Sequence, residues 1–255
     1  MKVAAWVGML GALACIDCLA EMVRHEESTG ASPAKLERMP EALEVEFALS
    51  ALPPHLREHA TVYVLDPWTG YVVNRQGTNG VSCIVVRTDW QFPSQPFRDD
   101  IFWPVCYDKE GSKTLLQDYL WAADLRAQGM DSKQVNQEVT KRFGTAAYPN
   151  PARTGVSYRL APLMRGFPGP RTMNIPHYMF YAPGVTDEDI GGKPYSHYPF
   201  VLTTGPGRDD VIILLAGETE KAQILAQSKH LQAELCAYRA YLCTTTETLM
   251  RMPND

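Results

Sequence analysis

The chain has 255 residues, of which 45% are hydrophobic and 21% are charged, and its formal net charge at pH 7 is −5. This is the composition of an ordinary globular protein that can bury one full hydrophobic core. The negative charge and the lack of any run of Lys and Arg in the sequence argue against a basic nucleic-acid-binding surface, so we expect no nucleic-acid partner.

The first 20 residues have the pattern of a secretory signal peptide. Lys2 provides a short positive start, residues 3–14 are apolar, and Asp17 ends the apolar stretch. That stretch is shorter than the roughly 20 residues needed to span a bilayer, and no later segment approaches that length. We therefore expect an exported bacterial protein, periplasmic or extracellular, without a transmembrane segment.

The sequence of this leader offers two alternative cleavage sites. Small residues favour cleavage after Ala20, and a second small-residue site would allow cleavage after Ala14. The second site would leave Cys15 at the new N-terminus, as in a lipoprotein, but Ala12 stands where lipoprotein signals normally carry Leu. Lipid anchoring is therefore the less favoured alternative, as is a retained and buried N-terminal helix.

Four cysteines remain once the leader is removed: Cys83, Cys106, Cys236 and Cys243. An even number of cysteines in an exported chain indicates disulfide bonds. Four cysteines allow three pairings, among which the count alone does not choose.

The first half of the remaining chain predicts a flexible lead-in, one helix and a set of strands. Residues 21–40 are charged and irregular and form the lead-in, and residues 41–255 are expected to form a single domain. A helix over 41–52 ends at two prolines. Strands are predicted at 61–65, 71–73, 81–87 and 101–106. Turn sequences separate the first three strands, which predicts an antiparallel meander.

The second half predicts three helices and a further group of strands. The helices are expected over 113–128, 132–143 and 218–241, and the strands over 156–163, 173–181, 200–202 and 211–215. Pro176 confines its segment to an edge, a bulge or a strand start. The expected fold is α+β: one antiparallel sheet of six to eight strands with the three helices packed on one side.

Several segments of the chain resemble an uncharacterised family of exported bacterial proteins. They read ALSALPPHLREHATVYVLD, RQGTNGVSC, PVC, GVSYRLAPLMR, MNIPHYMFYAP and VIILLAGETEKAQI, and together they cover roughly residues 45–225. The most specific pieces are the Gly77–Gly80 turn followed by Cys83, and the segment 177–183. The resemblance implies secretion and a Cys83–Cys106 pair, and it carries no catalytic residue or activity over to this chain.

Strand geometry gives an independent reason to pair Cys83 with Cys106. Directly opposed residues on adjacent antiparallel strands have Cβ atoms about 4.5–5.5 Å apart, close to what a disulfide needs. Cys236 and Cys243 lie about 10 Å apart along an unbroken helix, so they can pair only if the helix ends before Cys243.

His177 is the residue with the strongest functional signal, because it lies in the densest aromatic segment of the chain. One interpretation is a general acid or base at a pocket whose walls include Tyr178 and Tyr181. The favoured interpretation is a strand histidine that donates to a backbone carbonyl while the aromatic side chains form core.

The remaining signals are weaker. Asp187 and Asp189 alternate before two glycines, but the rest of a calcium loop is missing, so they are interpreted as a solvated loop. His55 and His59 are four apart but do not form the zinc-protease motif, so they are interpreted as surface residues. We predict no metal site and no cofactor.

Two functions follow as hypotheses. In the first, the protein is not an enzyme and binds a small ligand or an envelope protein through residues 173–200. In the alternative, it is a hydrolase-like enzyme that uses His177 with a nearby carboxylate, Asp187 or Asp189. A pocket containing a His–carboxylate contact with a nucleophile or metal would favour the enzyme, and a flat or filled surface there would count against it.

Overall fold

The computed structural model describes residues 36–143, 145–147, 149–166, 169–193, 197–203 and 210–244. All of them belong to one compact unit, Pro33–Asp255. The expected leader and most of the expected lead-in lie outside the described residues. None of the helices in the described ranges is long and apolar enough to cross a membrane.

The described part of the chain forms short helices and strands. The helices are α1 (Glu41–Ser50), α2 (Pro54–Arg57), α3 (Leu115–Ala127), α4 (Ser132–Thr140), α5 (Asp187–Ile190), α6 (Glu218–Gln227), α7 (Lys229–Tyr238) and a 3-10 turn, Ala240–Leu242. The strands are β1 (Thr61–Asp66), β2 (Gly70–Arg75), β3 (Ser82–Val86), β4 (Trp103–Tyr107), β5 (Val156–Arg159), β6 (Met164–Gly166), β7 (Arg171–Met173), β8 (His177–Tyr181), β9 (Phe200–Thr203) and β10 (Asp210–Leu215).

Eight strands form one large sheet in the order β2-β1-β3-β4-β5-β8-β10-β9, and β6 pairs with β7 separately. Within the large sheet β1 and β3 are parallel and the other pairs are antiparallel. The α+β class predicted from the sequence is therefore confirmed. Pro176 stands directly before β8, so the strand-start alternative applies, and its carbonyl accepts from Ala216 N at 2.9 Å.

The predicted meander of the first three strands is wrong. The chain forms the β1–β2 hairpin and then passes back across the end of β1, where Thr61 N donates to Val81 O at 2.8 Å, so that β3 pairs with β1 and not with β2. The physical reason is burial. Every residue of β3 is buried, whereas β2 has three exposed residues in a row, so β3 belongs inside the sheet and β2 at its edge.

Helices cover both faces of the sheet, not one face as expected. Ile84 and Val86 of β3 share a buried cluster with α3 and α4. Their neighbours Cys83 and Val85 point to the opposite face and share a second cluster with α1 and α7. Side chains alternate along a strand, so a strand that is apolar at every position requires cover on both sides.

The C-terminal helix predicted over 218–241 is two helices. α6 ends at Gln227 and α7 begins at Lys229, with Ser228 between them. Leu231 and Leu235 of α7 are buried, whereas α6 has no buried residue. α7 is therefore the part of this segment that docks on the core.

The end of the expected lead-in is packed, not flexible. Leu36 and Met39 are buried, and Met39 belongs to the cluster beneath α1. Arg38 forms an ion pair with Asp66 at the end of β1. Two apolar side chains within four residues give this segment enough buried surface to be held on the domain.

Both disulfides are present. Cys83 and Cys106 are directly opposed on β3 and β4, with their Cα atoms 4.1 Å apart and no exposed surface. Cys236 and Cys243 also pair, with Cα atoms 4.3 Å apart. The second bond is possible because α7 ends at Tyr238, five residues before Cys243, and the chain then turns through the 3-10 segment.

The central disulfide should contribute strongly to stability. The chain-entropy model gives about 3 kcal/mol for a crosslink that closes a loop of this length, and Cys83→Ala with Cys106→Ala also removes buried contacts. The matched control, Cys236→Ala with Cys243→Ala, opens a shorter loop at the partly exposed C-terminal segment and should cost about 2 kcal/mol. Urea unfolding measures both losses. Equal losses would contradict the central role of Cys83–Cys106.

Candidate binding surface

His177 is buried inside the sheet. It begins β8, between Arg159 of β5 and Leu215 of β10, and is 7% exposed. Its Nδ1 lies 2.6 Å from the carbonyl oxygen of Ile175, so Nδ1 carries the proton and donates it to that acceptor. Burial, followed by the nearby charge of Arg159, lowers the pKa of His177 to about 4. The ring is therefore neutral at neutral pH.

The two carboxylates suggested as partners of His177 have local structural roles. Asp189 accepts from the backbone of Thr186 at 2.9 Å and completes a capping box at the start of α5. The backbone and the hydroxyl of Thr186 both donate to Asp189, and these two hydrogen bonds lower the pKa of Asp189, the backbone bond having the larger effect. Asp187 Oδ1 accepts from Val201 N at 2.7 Å and ties α5 to β9. Among the hydrogen bonds of the described residues, none joins His177 to Asp187 or Asp189.

The pleat of β8 separates the three residues suggested for ligand binding. His177 and Tyr181 point to the buried face of the sheet, and Tyr178 points to the opposite face. Tyr181 is 1% exposed, and its hydroxyl donates to Asp108 Oδ1 at 3.3 Å. It packs against Gly111 so closely that a Cβ there would lie 2.0 Å from its hydroxyl oxygen. Tyr181 is thus a core residue, and Tyr178 alone of the three is partly exposed.

Tyr178 belongs to a row of apolar side chains on the outer face of β5, β8, β9 and β10. We call this row the aromatic face. Its members are Val156, Tyr158, Tyr178, Phe180, Val201, Ile212 and Leu214, which the strand registers place on one side of the sheet. Leu214 is exposed and the other six are partly exposed. On the other face of these strands lie buried residues of the core, among them Met179, Val211 and Ile213.

The chemistry of the aromatic face is unusual for a solvated sheet. An antiparallel sheet with one open face normally carries polar residues there, but none of these seven side chains is charged. Tyr178 contacts the ring of Tyr158 with the ring centroids 6.0 Å apart, and that of Phe180 with the centroids 6.4 Å apart. The rings form a continuous apolar strip, and contiguous exposed patches of this kind mark interaction sites.

α6 reaches the border of the aromatic face through one polar contact. The Tyr178 hydroxyl donates to Glu220 Oε1 at 2.5 Å. Burial, together with this carboxylate, raises the pKa of Tyr178 far above its usual value, so the phenol remains protonated. Since no residue of α6 is buried, the helix is held at this border by few contacts.

Sequence reasoning found Tyr178 but missed the rest of the aromatic face. The signal that would have found it is apolar character at both parities of 177–181 and 211–215, which requires cover on both sides of the strands. Other surface apolar groups occur in the long loop after β8, where Tyr198 is 74% exposed and Ile190 is 37% exposed. His55 and His59 are exposed, as expected.

Within the described ranges, no three or more His, Cys, Asp or Glu side chains are grouped closely enough to hold a metal ion. No protein-family model, curated protein or solved structure is significantly similar to this chain. The resemblance to exported bacterial proteins therefore stays a prediction.

The buried His177 should make stability fall in acid. Its folded-state pKa of about 4 lies below the ordinary value of 6.5, so its contribution is complete above pH 6.5 and is lost as pH falls toward 4. The full loss is about 3 kcal/mol. Urea unfolding of the wild type and His177→Gln across this range isolates the effect from other titrating groups such as Glu44, whose pKa burial raises to about 7.

The stability difference between the wild type and His177→Gln should shrink as pH falls. A difference that stays constant with pH would mean that His177 is not held neutral by the fold.

Proposed function

We propose that this protein is an exported binding protein that docks a partner protein on the aromatic face. The observation that carries the proposal is an uncharged, partly exposed row of aromatic and aliphatic side chains on a sheet whose other face is core. Interface cores are depleted in charge and enriched in Tyr and Phe, which is the chemistry found here.

The dimensions of the aromatic face favour a protein over a small molecule. It extends across four strands, which at about 4.8 Å between neighbours gives a width of about 14 Å. Small-molecule sites are concave, whereas a pleated sheet offers a broad surface suited to another protein. The partner we infer presents an apolar surface, because a charged one would lose its hydration against side chains that cannot pair with it.

Two features support export. The first is the N-terminal pattern of a positive residue, an apolar run and small residues before Glu21. The second is the two disulfides, which persist in oxidising compartments and are rare in reducing ones.

The enzyme alternative has no comparable support. His177 is buried and hydrogen-bonded to a backbone carbonyl, and Asp187 and Asp189 are engaged in local contacts. A general base has to reach the proton that it abstracts, and a ring enclosed in the sheet does not.

Export predicts a defined mature N-terminus. N-terminal sequencing of protein recovered from the periplasm or the medium should begin at Glu21, with Cys15 as the alternative start. Recovery of the folded, oxidised protein with Met1 intact would contradict removal of the leader.

Docking predicts site-specific crosslinking in the native compartment. A photo-crosslinking residue at Leu214, which is 38% exposed on the aromatic face, should give one defined product. The same residue at Val73, which is 49% exposed on the edge strand β2, should not give that product. A product of twice the monomer mass would identify the partner as a second copy of this chain.

A charge on the aromatic face should abolish this crosslink. With the photo-crosslinker at Leu214, Phe180→Glu should remove the product, because burying an unpaired carboxylate in an apolar interface is costly. The matched variant Val73→Glu should keep it. Circular dichroism checks that both variants unfold at the wild-type temperature. Loss in both variants, or in neither, would contradict docking through the aromatic face.

A further inference from the structure

The loop between β3 and β4 encloses a small cleft. The residues that line this cleft are not members of the aromatic face. The cleft has a volume of about 60 Å³. Its walls are formed by Asp89, Phe92, Gln95, Pro96, Phe97 and Arg98, with Gly169 at one side. A water molecule needs about 10–15 Å³ by this measure, so the cleft has room for about four to six heavy atoms.

Neighbouring helices hold the loop in place. Ser132 Oγ donates to Gln95 O at 2.5 Å, and Asn136 Nδ2 donates to Trp90 O at 3.1 Å, both from α4. Arg126 of α3 donates to Arg98 O at 3.1 Å. The cleft is therefore preformed, as small-ligand sites usually are.

Asp100 orients the guanidinium group of Arg98 and accepts hydrogen bonds from two of its three nitrogen atoms. Arg98 Nε and Nη2 donate to the two oxygens of Asp100 at 2.7 and 2.8 Å. Asp100 also accepts from Arg165 at 2.7 Å, so its charge is shared between two guanidinium groups. No hydrogen bond of the described residues engages Arg98 Nη1. Arg98 lines the cleft beside Phe92 and Phe97, and a positioned guanidinium next to apolar side chains is suited to a carboxylate.

Asp89 lines the same cleft, and its Oδ1 is buried without a hydrogen-bond partner. Burial raises its pKa to about 7, while Arg98, the backbone of Gln91 and Arg159 pull the other way. Below that pKa the group is neutral and no longer repels an anion.

The charges around the cleft favour an anion over a cation. Arg98 lines the cleft, Arg126 lies over the ring of Phe97 at 4.5 Å from its centroid, and Arg159 is near enough to lower the pKa of Asp89. Asp89 is the one carboxyl group among the lining residues, since Asp100 is engaged by Arg98 and Arg165. Phe92 and Phe97 supply apolar contact for a short hydrocarbon chain.

We propose that this cleft is a binding site for a short-chain carboxylate, held by Arg98 against the two phenylalanine rings. Asp89 lines the same cleft, and its protonation sets the pH range in which the carboxylate binds. The proposal is independent of partner docking on the aromatic face.

The test is a titration with propionate, propylammonium and inorganic phosphate, followed by amide chemical shifts in two-dimensional NMR. Propionate should give saturable shifts confined to residues 89–98 and Gly169, with an affinity that falls about tenfold from about pH 6 to about pH 8. Arg98→Gln should abolish the shifts, and Arg153→Gln, at an exposed arginine elsewhere, should leave them unchanged.

Arg98 also holds Asp100, so a second variant separates binding from folding. Asp89→Asn preserves the shape of the side chain and should keep propionate binding while removing its pH dependence. Absence of propionate binding to the folded wild type would overturn the proposal. Preferential binding of propylammonium, or phosphate binding of equal affinity, would also overturn the carboxylate assignment.

Discussion

Strands β3 and β4 are buried at every position, and the Cys83–Cys106 disulfide joins them at a directly opposed pair. Full burial of two neighbouring strands requires cover on both faces of the sheet. α1 and α7 provide it on one side, and α3 and α4 on the other. The parallel position of β1, the exposed edge strand β2 and the break of the C-terminal segment at Ser228 are all compatible with keeping this pair enclosed.

The other half of the sheet is covered differently. β8 and β10 bury one parity of their side chains in the same core as β3, but the other parity belongs to the aromatic face, together with Val156 and Tyr158 of β5. β8 and β10 have the largely apolar composition of strands covered on both sides, and the described residues bury one of their two sides. α6 touches this region through the Tyr178–Glu220 hydrogen bond and buries no residue of its own. The proposed partner supplies the cover that the described residues do not.

The sequence predicted what depends on local pattern and missed what depends on distant pairing. Cys83 and Cys106 were paired correctly because they lie on strands adjacent in sequence. Pro176 precedes a strand start, one of the three positions that its sequence allowed. The β1–β3 pairing was missed because hydrophobic alternation does not specify which strand becomes the neighbour. His177, Tyr178 and Tyr181 were grouped because they are close in sequence, but the pleat sends Tyr178 to the opposite face. The cleft beside Asp89 was missed because its shape depends on hydrogen bonds to the loop from α3 and α4 and on Gly169, which is distant in sequence.

The central claim is that the aromatic face is open in the isolated chain and covered in the cell, and covalent footprinting tests it directly. In the purified protein, a carbene label should react with Tyr178, Phe180 and Leu214 and leave Met179, Tyr181 and Ile213 unlabelled. In the native compartment the first three should become protected. Equal labelling of both groups, or an aromatic face already protected in the purified monomer, would contradict the account.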